Sequence, residues 1–197
     1  LWILSIIMDS QDTEYYDYYL PSERIATKPK LNRADSKMMY VTESSMLHTN
    51  FSQLDKILDP GDVLILNNTR VIPARIILEK VSGGKVEILY TCDVSENSFE
   101  AIFKSSRRPI IGTILNYKKK FFFKVNNIED NKIILHNLSH KNMQEILKTH
   151  GEIPLPNYIK RPANDQDKKT YQTVYAQVNG SVAAPTAGLH FTKDLIK

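Results

Sequence analysis

Two segments of this sequence carry side chains in patterns that invite chemistry. The first is Gly180-Ser181-Val182-Ala183-Ala184-Pro185-Thr186-Ala187-Gly188-Leu189-His190-Phe191-Thr192. It gathers small residues, a proline and a glycine around the Thr186 hydroxyl and the His190 imidazole. Small side chains let backbone approach a ligand closely, and free N–H groups at a helix start can bind an anion. Imidazole is the side chain best matched to proton transfer near neutral pH. The alternative is a tight connection in which His190 is hydrogen-bonded to backbone. The second segment is Asn67-Asn68-Thr69-Arg70-Val71-Ile72-Pro73-Ala74-Arg75. It follows an apolar run, where α/β proteins commonly place ligands. Arg70 and Arg75 could hold a carboxylate or phosphate through forked, charge-assisted hydrogen bonds. A polar turn with a Pro-interrupted edge strand accounts for Pro73 but not for both arginines.

Other templates fail. Gly83-Gly84-Lys85 lacks the upstream glycine and the Ser/Thr of a phosphate loop, and no dinucleotide fingerprint or Cys-x-x-Cys pair is present. His136 and His140 are four apart, but the turn-like Asn137-Leu138-Ser139 between them favours solvated histidines over a metal site. Lys118-Lys119-Lys120 before Phe121-Phe122-Phe123 reads as a solvated turn and a strand with core-facing rings, single-strand nucleic-acid binding being the alternative. Arg107-Arg108 is either a phosphate contact or an exposed loop between strands.

The elements that must position these residues can be read coarsely. Ser22–Ala26 predicts a short helical turn stopped by Pro29, and Lys37–Thr42 a strand. Asn50 and Gln53 have capping-box spacing ahead of a helix with Phe51, Leu54, Ile57 and Leu58 on one face, ended by Pro60-Gly61-Asp62. Val63-Leu64-Ile65-Leu66 predicts a strand buried on both faces. From Val71 to Leu135 the pattern is strand after strand, including a hairpin at Ser82-Gly83-Gly84-Lys85, which predicts a small β-barrel or sandwich. Met143, Ile146 and Leu147 predict a helix ending before Gly151. Thr192 is a good N-cap, yet only five residues follow it, which reads as a fragment of a longer protein.

With 197 residues, 42% hydrophobic and 24% charged, the chain has ordinary globular values, and a formal charge of +4 permits an anionic partner without demanding one. One cysteine, Cys92, excludes a disulfide scaffold or multi-thiolate metal site and suits a reducing compartment. The apolar opening Leu1–Met8 is shorter than the roughly 20 residues of a membrane span and lacks the basic leader of a secretory signal. Met8 is expected as the true start. The competing reading of residues 1–7 is a short buried strand.

In order along the chain, several blocks closely resemble the S-adenosylmethionine:tRNA ribosyltransferase-isomerase family of queuosine biosynthesis. They are Tyr16–Pro21 with Ile25-Ala26 and Pro29, Arg33–Ser36, Pro60–Arg75, Gly83–Glu87, Gly151–Pro156 through Tyr158–Arg161, Tyr171–Ala176, and Gly180–Thr192. Asn68 stands where many relatives carry Asp, Asn157 where a third Pro is common, and family members continue well past Thr192.

The resemblance implies a mixed α/β catalytic domain, incomplete at its C-terminus and interrupted by a smaller β-barrel domain. The expected division is a disordered leader over 1–14, the α/β domain over 15–69 and 151–197, and the barrel over 70–150. It implies that S-adenosylmethionine donates its ribosyl group to 7-aminomethyl-7-deazaguanine at the tRNA wobble position, giving epoxyqueuosine and releasing adenine and methionine. No metal is required. The resemblance marks segments, onto which roles are assigned as expectations. His190 is the proton-transfer group with Thr186 as its hydrogen-bonding neighbour. Arg70, Arg75, Asn67, Thr69 and Gly188 bind substrate, and Tyr158, Lys160, Arg161, Arg107 and Arg108 contact tRNA. A cytoplasmic monomer without a membrane partner is expected. The alternative is a non-catalytic tRNA-binding module or an inactive fragment of such an enzyme.

Overall fold

A computed structural model describes residues 12–197. The readings placed on the opening segment, a start at Met8 and a buried strand in 1–7, lie outside the described residues. Of the expected leader, Asp12 to Glu14 enter an exposed 3-10 turn, Thr13–Tyr16.

The centre of the fold is a closed barrel of six antiparallel strands, β4 (Arg75–Lys80), β5 (Lys85–Ser95), β6 (Ser98–Ser105), β7 (Ile114–Tyr117), β8 (Phe121–Glu129) and β9 (Lys132–Asn137), in the order β4-β5-β6-β9-β8-β7. Alternation drives it, since every second residue faces inward. Ile76 and Leu78, Val86 and Ile88, Phe123 and Val125, and Ile133 and Leu135 are all essentially inaccessible to solvent. Gly83 takes φ +90° in the β4–β5 hairpin, a conformation that suits glycine. Strand β7 escapes sequence reading because it contains a buried polar residue. Asn116 donates from Nδ2 to the Glu79 carbonyl and accepts the Lys119 N–H, which satisfies its amide inside the wall. Of the three adjacent phenylalanines, Phe123 is in the core, Phe121 packs beside Tyr117 and His150, and Phe122 is exposed.

Helix α1 (Met143–His150) is capped by Asn142, whose Oδ1 accepts the Glu145 N–H, and its Met143, Ile146 and Leu147 join the barrel core. It ends at Gly151, whose φ of −75° any residue could adopt. Glycine is needed there for space: a β-carbon would collide with the Pro73 carbonyl oxygen and sit 2.6 Å from that of Leu147.

Outside the barrel, β1 (Lys37–Val41) and β2 (Met46–Asn50) form a hairpin, and β3 (Thr69–Val71) pairs in parallel with β10 (Val178–Ser181) through an irregularity at Gly180. Two short helices complete the chain, α2 (Asp167–Thr170) and α3 (Lys193–Ile196), the latter capped by the Thr192 hydroxyl. A second small core joins Val71, Ile153, Tyr171 and Ala184. The architecture is mixed α/β with a barrel. Among the described residues no helix is long and apolar enough to cross a membrane.

Two elements differ from expectation. Val63–Leu66 is irregular rather than a buried strand, with Val63 and Ile65 86% and 90% exposed. A strand buried on both faces needs neighbours on both sides, and among the described residues none pairs with it. The Asn50–Leu58 helix is instead a 3-10 segment, Phe51–Lys56, without a side-chain cap. Asn50 is the last paired residue of β2, and the Phe51 N–H is taken by the Ser36 carbonyl at 2.8 Å.

Gly151→Ala should therefore destabilise the protein by about 1–3 kcal/mol in urea unfolding, the usual cost of overpacking. Gly84→Ala, whose β-carbon would meet nothing closer than 3.6 Å, should change stability far less. Equal effects would contradict this account of Gly151.

Candidate active-site cleft

Outside the barrel lies a cleft of about 320 Å³, walled by the N-terminal stretch Ala26–Leu31, by the turn around Tyr158–Arg161, and by Thr186, Leu189 and His190. Its C-terminal wall is the 3-10 turn Thr186–His190, which starts after Pro185 and closes with the Gly188 N–H bonded to the Pro185 carbonyl at 2.8 Å. Phe191 is buried and meets Phe51 edge-on at 4.9 Å between centroids and Tyr175 at 6.0 Å. This aromatic anchor leaves the preceding imidazole facing the cleft.

His190 packs on Phe51 at 5.3 Å, and among the described residues neither ring nitrogen has a hydrogen-bond partner. The backbone-bonded alternative is thus not what the structure adopts. Burial, reinforced by the nearby Arg33 charge, holds the imidazole below its ordinary value. It is accordingly neutral near pH 7, able to accept a proton. Thr186 lines the same cleft but makes no hydrogen bond to His190, so the expected pairing is corrected to proximity alone.

Arg33, which the sequence marks only within a family block, organises the cleft. Its Nη1 donates to the carbonyls of Gln172 at 2.6 Å and Leu189 at 3.2 Å, and its Nη2 to that of Lys169 at 2.8 Å. Its own burial lowers the guanidinium pKa. The carbonyls lie 136 to 156 residues away in sequence, so one side chain ties the N-terminal wall to the His190 wall.

Arg161, expected to contact tRNA, is committed internally. It forms a fork on Asp167, at 2.7 and 2.8 Å, and donates to the carbonyls of Thr27 and Pro162. Asp167 is buried, and hydrogen bonding from Arg161 holds its carboxyl below the ordinary range despite that burial. A partnered guanidinium is poorly placed to receive a phosphate, so the pair's observed role is to fix the turn. Tyr158, by contrast, is 52% exposed at the cleft, and Lys160 is exposed on the same turn.

The second candidate segment is joined to the first through the β3–β10 pairing, but it does not line this cleft. Neither Arg70 nor Arg75 lines the cleft. Arg75 forks onto Glu87 at 2.9 and 3.0 Å and approaches Glu152 at 3.6 Å, while its backbone exchanges hydrogen bonds with Glu152. Hydrogen bonding to Glu87 raises its pKa. It fastens the start of the barrel to the chain leaving α1. Arg70 donates to the Ala176 carbonyl at 2.6 Å beside β10. Asn67 accepts both the N–H and the hydroxyl of Thr69, at 2.9 and 2.7 Å, a local turn that occupies both side chains. Gly188 is buried, and a β-carbon there would strike the Tyr175 hydroxyl, so its smallness admits protein rather than ligand. Arg107 and Arg108 sit in the loop that follows β6. There Lys80 donates to the Arg107 carbonyl, and Arg108 lies 5.8 Å from the Phe103 ring centre.

Among the described residues no three His, Cys, Asp or Glu side chains are grouped as a metal ion would require. His136 instead meets the Ser98 hydroxyl at 3.1 Å.

The fold and cleft define a mixed α/β protein that combines a closed barrel with a basic cavity faced by a histidine. Residues 13–197 match the family model described as "Queuosine biosynthesis protein", and the chain belongs to that family. It is 42% identical over 181 residues to the S-adenosylmethionine:tRNA ribosyltransferase-isomerase of Vesicomyosocius okutanii, covering 92% of this chain and 53% of that protein. It is 43% identical over 198 residues to the protein of the same name from Desulfotalea psychrophila, covering 93% and 55%. The crystal structure of an S-adenosylmethionine tRNA ribosyltransferase from Thermotoga maritima aligns with a TM-score of 0.37 at 26% identity, covering 92% of this chain and 52% of that one. The chain thus spans about half the length of the curated relatives it matches.

The depressed His190 value carries a stability signature. Between that value and the ordinary one near 6.5, the unfolded chain binds the proton more readily, so stability rises with pH through this window and levels off above it. In thermal unfolding from about pH 5 to 7.5, the midpoint of the wild type relative to that of His190→Gln should rise with pH. A constant difference would contradict a neutral, half-buried imidazole. Arg161→Ala, which strands the Asp167 carboxylate, should lower the midpoint much more than Lys160→Ala on the same turn. Equal midpoints would contradict the structural role of Arg161.

Proposed function

We propose that the protein acts on tRNA in queuosine biosynthesis, with S-adenosylmethionine as ribosyl donor and 7-aminomethyl-7-deazaguanine at the wobble position as acceptor. The products are epoxyqueuosine, adenine and methionine. The observation that carries the reading is a neutral, unpartnered His190 facing a cleft, in a chain whose named relatives are S-adenosylmethionine:tRNA ribosyltransferase-isomerases.

The reaction needs a base to take a proton from the carbon beside the sulfonium, whose charge stabilises the carbanion formed. His190 suits that role because it is unprotonated at neutral pH, and neither ring nitrogen must give up an existing hydrogen bond to accept a proton. Thr186 stands on the same turn and lines the cleft without bonding the imidazole. Tyr158 offers an exposed ring on which an unpaired loop base can stack. The protein works in this reading as a cytoplasmic monomer and requires no metal. The second reading is a tRNA-binding module without catalysis, for which the exposed Tyr158 ring and the cleft cations would suffice.

The two readings separate on adenine release from S-adenosylmethionine in the presence of tRNA carrying the 7-aminomethyl-7-deazaguanine base. An enzyme releases adenine, and His190→Gln lowers turnover about 100-fold or more, the usual weight of a general base, with S-adenosylmethionine binding nearly unchanged. RNA binding without any adenine release would establish the module instead.

A further inference from the structure

The cleft contains more positive charge than its proposed sulfonium ligand accounts for. Four cationic side chains line it, Lys28, Lys30, Arg33 and Arg161, against one carboxylate, Asp167. S-adenosylmethionine itself carries a net positive charge, with a sulfonium and an ammonium against one carboxylate, so this surplus of cations is not explained by that ligand. Two of the four cations are already engaged: Arg33 on three carbonyls and Arg161 on Asp167. Lys28 and Lys30 differ. Both are exposed, and among the described residues neither ammonium has a hydrogen bond or ion pair.

Their placement is also fixed. The Arg161 Nε donates to the Thr27 carbonyl at 3.2 Å, which pins the backbone next to Lys28 against the turn that presents Tyr158 and Lys160. That turn is itself held by the Ile159 N–H on the Pro156 carbonyl at 2.9 Å and the Arg161 N–H on the Ile159 carbonyl at 2.9 Å. Pro29 stiffens the chain between the two lysines by fixing its φ. An exposed aromatic ring flanked by unpaired ammonium groups is the arrangement that holds single-stranded nucleic acid, with bases on the ring and phosphates on the cations.

We infer that Lys28 and Lys30 bind the phosphodiester backbone of the RNA strand that enters the cleft, beside a base stacked on Tyr158. This rests on the proposed reading of the cleft as a tRNA site, and it moves the anion-binding role from Arg70 and Arg75 to the N-terminal wall. The Arg33 and Arg161 guanidiniums hold that wall, and the lysines carry the contact.

The test is the salt dependence of binding of a synthetic tRNA anticodon stem-loop to the protein, measured by fluorescence anisotropy. Lys28→Gln/Lys30→Gln should weaken binding and flatten the slope of log Kd against log salt by about 1.4, the single-strand value for two lost phosphate contacts. Lys28→Arg/Lys30→Arg should restore the slope, and Lys132→Gln on the barrel should leave it unchanged. Tyr158→Ala should raise Kd by about fivefold or more without altering the slope. An unchanged slope in the glutamine variant overturns the inference. So does a loss of S-adenosylmethionine affinity with RNA binding intact, because the lysines would then hold the amino-acid carboxylate. Adenine release is scored separately: lysine-dependent RNA binding without release defeats the catalytic reading but not this one, and release with an unchanged slope does the reverse.

Discussion

The cleft exists because a half-buried guanidinium bridges chain segments more than 130 residues apart. Arg33 satisfies the carbonyls of Lys169, Gln172 and Leu189, each in or beside a short element that could not hold its position alone. Hydrogen bonds to a charged donor are stronger than neutral ones, and the planar fork fits several acceptors at once. The same charge sits beside His190 and helps keep the imidazole unprotonated. One side chain therefore both assembles the cavity and adds to the burial that keeps its candidate base unprotonated.

Two further arginines repeat this use of a fork. Arg161 locks the turn that presents Tyr158, and Arg75 fastens the barrel's first strand to Glu87 and Glu152. Guanidinium groups serve this protein as internal fasteners, and the cleft lysines remain available to solvent. That division follows from chemistry: a fork is worth most where several fixed acceptors converge, and a flexible ammonium suits a moving phosphate.

The barrel was legible in the sequence because its signals are local. Alternation in β4, β5, β8 and β9 and the Gly83-Gly84 hairpin lie within a few residues of each other. The α1 cap at Asn142 and stop at Gly151 are equally local in position, although the reason for Gly151 is its contact with Pro73. Strand β7 was hidden because Asn116 is polar yet buried, and β10 because Gly180 interrupts a four-residue strand. Val63–Leu66 shows the opposite error: an apolar run specifies a buried strand only when neighbours pair with it. The C-terminal half of the cleft was legible from the small residues around His190. The internal engagement of Arg70 and Arg75 has no local signal, because the carbonyl and carboxylate that hold them lie 106 and 12 residues away. Arg33 carried no local signal for the same reason, and Lys28 and Lys30 looked like ordinary surface charge.

The central claim is that the donor nucleoside binds between the N-terminal wall and the His190 turn, and not at the Asn67–Arg75 segment. Photolabelling with an azido-adenine analogue of S-adenosylmethionine, followed by peptide mapping, tests it directly. Label should fall on residues 26–36 and 186–191 and be suppressed by excess S-adenosylmethionine. Suppressible label on residues 67–75, with none on the cleft peptides, would contradict it.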